Sequence, residues 1–383
     1  MLIGIEAQSL EGNRTGVGRY LFNLLREWQT AGREKQIADC RFILYFKDEI
    51  PADLPKSDLF EMKLLKTLSK AWFIHRALPR AAKKDKIDIL FCPAYVAPLC
   101  YRGKIALTLH DIVYEAHPEW FNWQSKADKI LLRWVSKKAA KKAAIIFVPS
   151  EFTRQEVIKN YRVPSEKVVL TYEAVDSSLR FLVKDEKALA SVKNKYALKE
   201  KFIFFAGSIF SRRHIPEIIE TFSKFAQKRG DFQLLLCGKN YTSPWVNIDR
   251  LIEQKNSALG RQAILRVDFV ADNELKLLYN ACAFFVWLSD YEGFGLPPLE
   301  AMSCGAPVIS SDSSSLREVI NGAGLLIKNN SDTEEICQAM QRLAEDDVLR
   351  AELIRKGSVQ AVKFSWQECA EKTLQLLISN INV

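Results

Sequence analysis

The sequence predicts an α/β protein of two successive domains, each a doubly wound parallel sheet with helices on both faces. Short apolar segments of strand length alternate with helical segments along the chain, which is the pattern of β-α-β units. These strand segments are almost continuously apolar, as expected for strands covered on both faces. The alternation begins again after a polar, charged stretch at residues 176–201, where we place the join between the domains.

The elements follow in chain order. Predicted strands of the first domain are residues 2–6, 41–46, 87–91, 105–109 and 144–148, with helices from about Gly16 and over 125–142. Predicted strands of the second domain are residues 202–206, 232–237, 283–288 and 307–310, with helices over 215–227 and 272–279. Further helices are predicted over 333–345, 348–361 and 366–379. Ligands of such sheets bind at the carboxyl ends of the strands, so we expect a ligand cleft where the two domains face each other.

The composition excludes several classes of protein. Of the 383 residues, 48% are hydrophobic and 26% are charged, which is ordinary for a soluble globular chain. No apolar run approaches the length of about 20 residues that a membrane-spanning helix needs, and the N-terminus lacks the basic segment of a secretory signal. The eight cysteines include no CxxC pair, which argues against a zinc site and a disulfide framework. We therefore expect a cytoplasmic protein.

The charge is unevenly distributed. The formal net charge is +9, and the basic excess lies in residues 1–200. An uneven basic surface attracts polyanions such as nucleic acid, anionic lipid or phosphorylated substrates. No recognised nucleic-acid-binding motif occurs, so we expect no nucleic acid partner.

The most informative segment is Glu292-Gly-Phe-Gly-Leu-Pro-Pro-Leu-Glu300, which follows an apolar strand and leads into a helix. Its glycines let the backbone approach a ligand closely, and its prolines suit the first turn of a helix. The helix N-terminus would offer N–H groups to a phosphate. Each glutamate could accept two hydroxyl hydrogen bonds from a sugar. The alternative, a capped helix start with two surface glutamates, is disfavoured by the complete string.

Three further segments lie where strands are predicted to end. Gly207–His214 contains Arg212 and Arg213, whose guanidinium groups suit phosphate oxygens. Gly12–Tyr20 is a glycine-rich strand-to-helix turn, but it matches neither the dinucleotide-binding nor the ATP-binding pattern. His110 follows an apolar strand, where polar side chains act on ligands. A solvated arginine pair, a helix-initiating turn and a structural histidine stay open as alternatives.

Together these segments resemble the family-4 retaining glycosyltransferases, which have the GT-B architecture of two facing Rossmann-like domains. The resemblance covers nearly the whole chain. The segments that carry it are residues 292–310, Thr15–Tyr20, His110-Asp111, His117-Pro-Glu119, Val148–Glu151 and Phe364–Trp366. It implies an acceptor-side domain over residues 1–178 and a nucleotide-sugar donor domain over 179–363. A C-terminal helix over 364–383 would cross back to the first domain.

The resemblance also implies roles for the residues of the 292–300 string. Glu300 would hold the ribose of a nucleotide sugar, and Glu292 would contact the hydroxyls of the donor sugar. The backbone N–H groups of Phe294, Gly295 and Leu296 would lie near the donor sugar and its diphosphate.

Other implied roles fall on the remaining segments. Arg213 stands where the family has a phosphate-binding lysine, with Arg212 beside it. Ser208 stands where many members have a further arginine, and this departure weakens the diphosphate clamp unless Arg212 substitutes for it. Gly16 would let a loop of the first domain approach the diphosphate. His110 would lie near the reacting face of the donor sugar, and with Glu292 and Arg213 it is expected to be catalytic.

The implied reaction transfers a hexose from a nucleotide sugar with retention of anomeric configuration. Negative charge grows on the leaving diphosphate, and the arginines and the helix N-terminus would stabilise it. The chain contains no Asp-x-Asp motif, so we expect neither a metal ion nor another cofactor. An epimerase of the same architecture and a non-catalytic sugar-nucleotide-binding protein remain alternatives.

The substrates are less narrowly defined. The glycine loop and the His-Asp segment are most similar to mannosyltransferase-type members, which favours GDP-mannose over a UDP-sugar. The expected acceptor is a glycan or a lipid-linked oligosaccharide in cell-surface polysaccharide synthesis.

A basic amphipathic helix is predicted over residues 125–142. One side carries Lys126, Lys129, Arg133 and Lys137, and the other carries Ala127, Ile130, Leu131 and Trp134. Contact with an anionic membrane surface would give access to a lipid-linked acceptor and make the protein peripheral at the inner face of the membrane. The alternative is that the apolar side packs on the sheet.

Overall fold

The computed structural model describes residues 1–382 apart from 13, 15, 35–39, 122–124, 177, 178, 180–182 and 184, and apart from the side chains of 127, 128 and 382. Asn13 and Thr15 of the glycine loop, the side chain of Ala127 and part of the predicted join therefore lie outside the described residues. The chain divides into two compact units. The first consists of Met1–Pro118, Trp123–Glu173 and Ser365–Val383, and the second of Glu119–Asn122 and Ala174–Phe364.

The first unit is built on a parallel sheet. Its strands are β1 Leu2–Glu6, β2 Arg41–Phe46, β3 Phe60–Leu64, β4 Ile89–Cys92, β5 Lys104–Thr108, β6 Ile145–Val148 and β7 Val168–Leu170. Over the described part of the chain these seven strands lie in the order β3-β2-β1-β4-β5-β6-β7. Ile5 in β1 is paired with Leu44 on one side and with Phe91 on the other. The strand order therefore reverses direction between β1 and β4.

Helices cover both faces of this sheet. They are α1 Gly16–Arg33, α2 Lys70–Trp72, α3 Leu78–Lys84, α4 Val113–Ala116, α5 Lys126–Lys142 and α6 Glu151–Tyr161. A π-helical turn, Phe73–Ala77, joins α2 to α3. One buried cluster contains Leu78 of α3, Ala139 of α5 and Tyr161 of α6, so these three helices share a face.

The second unit repeats the architecture. Its strands are β8 Lys201–Ala206, β9 Phe232–Cys237, β10 Ile264–Val267, β11 Phe284–Trp287, β12 Val308–Ser311 and β13 Leu325–Ile327. Its helices are α7 Glu186–Lys195, α8 Ile215–Lys228, α9 Ile248–Ala258, α10 Asp272–Ala281, α11 Leu296–Ser303, α12 Leu316–Ile320, α13 Thr333–Glu345 and α14 Asp347–Ala361. Among the described residues the six strands are parallel in the order β10-β9-β8-β11-β12-β13. The prediction of two doubly wound parallel-sheet domains is confirmed.

The last helix, α15 (Trp366–Asn382), belongs to the first unit. Trp28 of α1 stacks on Phe42 with ring centroids 5.1 Å apart, and its Nε1 donates to the carbonyl of Ala370 at 2.9 Å. Helices α1 and α15 thus lie together. Phe42 of β2 is fully buried, so this layer is held by an aromatic stack and a buried hydrogen bond.

Two expectations about individual helices need correction. The polar stretch at 176–201 is not simply a join, because it contains α7, whose Val192 is buried in the second unit. In α5 the alternative that the apolar side packs on the sheet does not hold, because Ile130, Leu131 and Trp134 are 68%, 58% and 52% exposed. Small residues of the same helix pack instead, since Ala139 and Ala140 let the helix approach the strands closely. No helix of the described residues is long and apolar enough to cross a bilayer.

Candidate active site

The second sheet has a switch point, at which the strand order reverses, between β8 and β11. Ligands of open α/β sheets bind beside the carboxyl ends of the strands at this place. Gly207–His214 follows β8, and Ser289–Glu292 follows β11. The neighbouring strand β12 is followed by Ser313–Ser315. The topology thus brings together three segments from distant parts of the sequence.

Arg213 and Glu292 form an ion pair at this switch point. Arg213 Nε lies 2.9 Å from Oε1 of Glu292, and its Nη2 lies 3.4 Å from Oε2. Nη1 of Arg213 donates to the carbonyl of Ser208 at 2.7 Å, and the guanidinium lies 4.3 Å from the centroid of the Trp287 ring. Burial opposes ionisation of Glu292, but the charges of Arg213 and Arg212 and the hydrogen bonds from Arg213 and Ser289 outweigh it, so the pKa lies below its ordinary value.

The loop after Glu292 is fixed by serine hydroxyls. Ser289 Oγ donates to Oε1 of Glu292 at 2.9 Å, and the N–H of Glu292 donates to Ser314 Oγ at 3.1 Å. Ser315 Oγ contacts the carbonyls of Glu292 and Phe294 at 2.8 and 2.7 Å. The sequence reasoning missed these serines. A signal was present, because a run of three serines follows the buried strand β12 after one intervening residue.

Gly295 immediately precedes the helix α11, at its N-cap position. Its φ of +109° lies in the region that favours glycine, and a Cβ added there would lie 2.7 Å from Cδ2 of Leu316. Pro297 and Pro298 follow and carry no N–H. The N–H groups of Gly295 and Leu296 have no backbone hydrogen-bond partner among the described residues. They are therefore the donors that the start of this helix offers to an anion.

Glu300 is placed inside α11. Its side chain is buried, with a residue exposure of 8%, and Oε2 accepts a hydrogen bond from the hydroxyl of Tyr279 at 3.0 Å. Burial and the neighbouring charge of Glu300 raise the pKa of Tyr279 well above its ordinary value, so this hydroxyl stays a donor. Tyr279 was not singled out from the sequence.

Arg212 lies next to Arg213 in the loop after β8, and only one of its three guanidinium nitrogens has a hydrogen-bond partner among the described residues. Its Nε donates to the carbonyl of Tyr291 at 3.2 Å, and its guanidinium lies 4.5 Å from the centroid of the Phe210 ring. Neither terminal nitrogen of Arg212 has a hydrogen-bond partner in the described part of the chain. The neighbouring His214 is held by Asp290 at 2.8 Å and by Glu217 at 3.4 Å. Burial lowers the pKa of His214, but those carboxylates outweigh it and raise the pKa to about 9.

His110 and Gly16 belong to the first unit, whereas the arginines and the 292–300 string belong to the second. His110 Nδ1 lies 2.7 Å from Oε1 of Glu173, and its Nε2 lies 3.0 Å from the carbonyl of Pro93. Both partners are hydrogen-bond acceptors, so both ring nitrogens are placed to donate when the ring is protonated. Burial lowers the pKa of His110, but the hydrogen bond and charge of Glu173 raise it above its ordinary value.

Gly16 is the first residue of α1, and a Cβ added there would meet nothing within 4 Å. At Gly18, two residues further on, the backbones of the chain itself approach closely, since a Cβ there would lie 2.2 Å from the carbonyl oxygen of Ser9. No group of three His, Cys, Asp or Glu side chains is placed to hold a metal ion in the part of the chain that the structure describes.

Comparison with known proteins defines the class. The family model described as "Glycosyltransferase Family 4" matches residues 14–179, and that described as "Glycosyl transferases group 1" matches residues 186–360. The two matches follow one another and together span most of the chain. The chain therefore belongs to the family-4 glycosyltransferases.

Individual relatives add detail. The chain is 29% identical to O-antigen chain mannosyltransferase B of Escherichia coli over 94% of its own length and 95% of that protein. It is 34% identical to the serotype-specific mannosyltransferase WbdA of Escherichia coli, over 60% of this chain but 28% of that larger protein.

Solved structures agree on the fold. Anabaena Alr3699/HepE in complex with UDP and glucose superimposes with a TM-score of 0.75 at 16% identity, covering 99% of this chain and 100% of that one. WaaG, a glycosyltransferase involved in lipopolysaccharide biosynthesis, superimposes with a TM-score of 0.73 at 13% identity, covering 98% and 99%. The fold is GT-B, as expected from the sequence.

Proposed function

We propose that the protein transfers a mannosyl residue from GDP-mannose to a glycan or lipid-linked oligosaccharide in cell-surface polysaccharide synthesis, with retention of anomeric configuration. An O-antigen chain mannosyltransferase and a serotype-specific mannosyltransferase are among its relatives, and the first of them is similar along nearly the whole chain. A UDP-sugar is the alternative donor. The observation that carries the proposal is the buried pair of Arg213 and Glu292 at the switch point, beside the N-terminus of α11.

The pair divides the work of the site. Glu292 is ionised and is held mainly through Oε1, by Arg213 and Ser289, whereas Oε2 has only the longer 3.4 Å contact with Arg213 Nη2. Its remaining lone pairs can accept donor-sugar hydroxyls. Arg213 is neutralised by Glu292, and its main contribution is to hold that carboxylate in place. The net positive charge toward the diphosphate then comes from Arg212, whose terminal nitrogens are uncommitted.

Catalysis follows from the charge that develops. As the sugar–phosphate bond breaks, Arg212 and the N–H groups of Gly295 and Leu296 stabilise the leaving diphosphate. Glu300 binds the ribose, with Tyr279 holding one of its oxygens so that the other can accept a ribose hydroxyl. His110 is the proposed catalytic residue of the first unit, and the hydrogen bond and charge of Glu173, which raise its pKa above the ordinary value, favour the positively charged ring.

Membrane contact is part of the proposal. Ile130, Leu131 and Trp134 form an exposed apolar ridge on α5, with Lys126 and Lys129 on the same helix. Apolar side chains flanked by lysines suit the interface of an anionic bilayer. The enzyme would then meet its acceptor as a peripheral protein at the cytoplasmic face of the membrane.

The test is turnover with a panel of nucleotide sugars. The purified protein is first screened for a thermal shift with GDP-mannose, UDP-glucose and UDP-galactose, and the stabilising donor is then incubated with bacterial lipid-linked glycans. We expect GDP-mannose to be consumed only when an acceptor is present, and NMR of the product to show the donor's anomeric configuration. Conversion of the donor without an acceptor would indicate an epimerase, and binding without turnover would indicate a binding protein.

A further inference from the structure

A separate electropositive cavity lies in the first unit. It has a volume of about 590 Å³ and opens between the segment from the π-helical turn to α3 and the residues that precede β4 and β5. Among the described residues that line it there are five lysines and arginines and no carboxylate. These cations are Arg76, Arg80, Lys83, Lys86 and Arg102.

The cavity lies at the opposite end of the sheet from His110. Gly103 in its lining directly precedes β5, whereas His110 follows the carboxyl end of that strand. A strand of this length spans about 16 Å. A ligand in the cavity is therefore separate from one that contacts His110.

The cations of the cavity lack counter-charges. None of the five forms an ion pair with any residue that the structure describes. The nearby carboxylate of Asp85 is taken up by Lys63 Nζ at 2.7 Å and by the hydroxyl of Tyr45 at 2.8 Å. Asp88 accepts the N–H of Leu2 at 2.8 Å. Cations gathered in a concave surface without carboxylates attract a multiply charged anion.

The residue types indicate phosphate. Arginine binds phosphate oxygens with two parallel hydrogen bonds, and lysine adds a point charge. Trp72 lies four residues before Arg76 on the continuous helical segment and is 55% exposed, and Leu68 is fully exposed. Large apolar side chains beside phosphate-binding cations are also what a phospholipid interface would contact.

We propose that this cavity binds a ligand carrying two or more phosphate charges, at a site distinct from the donor site. Soluble polyphosphate and the headgroups of an anionic bilayer offer the same chemistry. In the bilayer case Leu68 and Trp72 would enter the interface while Arg80 and Arg102 bind the headgroups.

Cys100 provides a local probe. It lines the cavity and is exposed, whereas the other seven cysteines are buried. Its alkylation, followed by mass spectrometry of the peptide, reports on this cavity and not on the donor site. The measured quantity is the rate of alkylation by anionic iodoacetate divided by the rate of alkylation by neutral iodoacetamide. We expect this ratio to be about tenfold higher for Cys100 than for free cysteine, because the cations concentrate the anion. The double variant Arg80→Gln/Arg102→Gln should return this ratio toward the free value.

Protection of Cys100 tests the ligand. Tripolyphosphate, or vesicles of phosphatidylglycerol and phosphatidylcholine, should slow iodoacetamide labelling in the wild type and much less in the double variant. The matched control Lys187→Gln/Lys363→Gln removes two exposed charges outside the cavity and should behave as the wild type. Protection by tripolyphosphate identifies soluble polyphosphate as a source, and protection by vesicles alone identifies the headgroup. Absence of protection by both, or equal protection of the double variant, would overturn the proposal, whether or not the protein transfers mannose.

Discussion

Arg213 and Glu292 are 79 residues apart in sequence, yet Nε of the arginine lies 2.9 Å from Oε1 of the glutamate, because their loops follow the adjacent strands β8 and β11. Each residue is almost completely buried, so neither charge is tolerable without the other. The pair therefore stabilises the fold, and it also fixes the orientation of the Glu292 carboxylate.

Glu292→Gln should reduce the rate of transfer by about 100-fold or more, since it removes an interaction with the donor sugar and frees Arg213 to shift. It should also destabilise the protein by about 3 kcal/mol, because a buried guanidinium loses its partner. The double variant Arg213→Met/Glu292→Gln should recover part of that stability and none of the activity. The free energy of unfolding is measured by denaturant titration for both variants. An equal loss in the single and the double variant would contradict a coupled pair.

The pair of Arg213 and Glu292 also predicts how the stability of the fold changes at low pH. The pKa of Glu292 in the folded protein lies below its ordinary value of 4.5, so its ionised form stabilises the fold. That contribution is present above about pH 4.5 and is lost as the pH falls through the folded pKa. The difference in unfolding free energy between wild type and Glu292→Gln should therefore shrink as the pH is lowered below 4.5. A difference that grows under those conditions would refute the assigned direction.

Tyr279→Phe should weaken donor binding by about fivefold to tenfold, the effect of losing one hydrogen bond that orients Glu300. The chain offers a matched control, because Tyr196 likewise donates to a glutamate, Glu274, at 2.7 Å. Tyr196→Phe should leave the dissociation constant of the donor unchanged. Calorimetric titration of both variants distinguishes a positioning role from a general effect of removing a tyrosine hydroxyl.

Gly295→Ala should abolish most donor binding, since the backbone at +109° and the contact with Leu316 force the start of α11 to move. Gly260→Ala is the control for strain alone: it has φ of +64° and nothing within 4 Å of the added Cβ. Both variants should lose stability, but only Gly295→Ala should lose the thermal shift with donor. Equal thermal shifts with donor in Gly295→Ala and Gly260→Ala would mean that the loop containing Gly295 does not contact the ligand.

The His110–Glu173 pair predicts the opposite pH dependence. The folded pKa of His110 lies above the ordinary 6.5, so the pair stabilises the protein fully below that pH and progressively less as the pH rises through the folded pKa. Glu173→Gln should lower the pKa of the imidazole, measured by NMR titration. The melting-temperature difference between wild type and Glu173→Gln should be largest at pH 6 and smaller at pH 9, and a constant difference would argue against an imidazolium.

Ile130→Ser/Trp134→Ser should lower binding to anionic vesicles by about tenfold, because two exposed apolar side chains no longer enter the interface. Trp245 is 68% exposed in the second unit, so Trp245→Ser is the matched control and should bind vesicles as the wild type does. Sedimentation with vesicles measures both. Unchanged binding by the double variant would remove α5 from the membrane contact.

The sequence predicts the interior strands well and the edges poorly. Strands such as β2 and β9 are almost continuously apolar, so they are found with the correct bounds. Strand β3 lies at an edge and contains Glu61 and Lys63, which interrupt the apolar run, and β13 has only three residues. An edge strand needs less burial, so composition alone does not reveal it.

The structure brings the arginines and the 292–300 string to one switch point, but the contacts that each of these residues makes could not be predicted. The 292–300 string and the arginines are visible because they follow apolar strands. Arg213 forms an ion pair with Glu292, whereas Arg212 does not. This difference depends on which strands are neighbours in the sheet, and the local sequence pattern does not encode the strand order. The same holds for α5, where periodicity gives an amphipathic helix but does not say whether its alanines or its bulky side chains face the sheet.

Titration of GDP-mannose into the wild type and into Glu300→Gln tests the central claim most directly, since glutamine keeps the hydrogen bond from Tyr279 and loses only the carboxylate charge. We predict saturable binding to the wild type and binding at least about tenfold weaker to the variant, as expected when a charged acceptor of hydroxyl hydrogen bonds is lost. Equal affinities in the two proteins, or no binding of any nucleotide sugar to the wild type, would contradict a donor site built on α11.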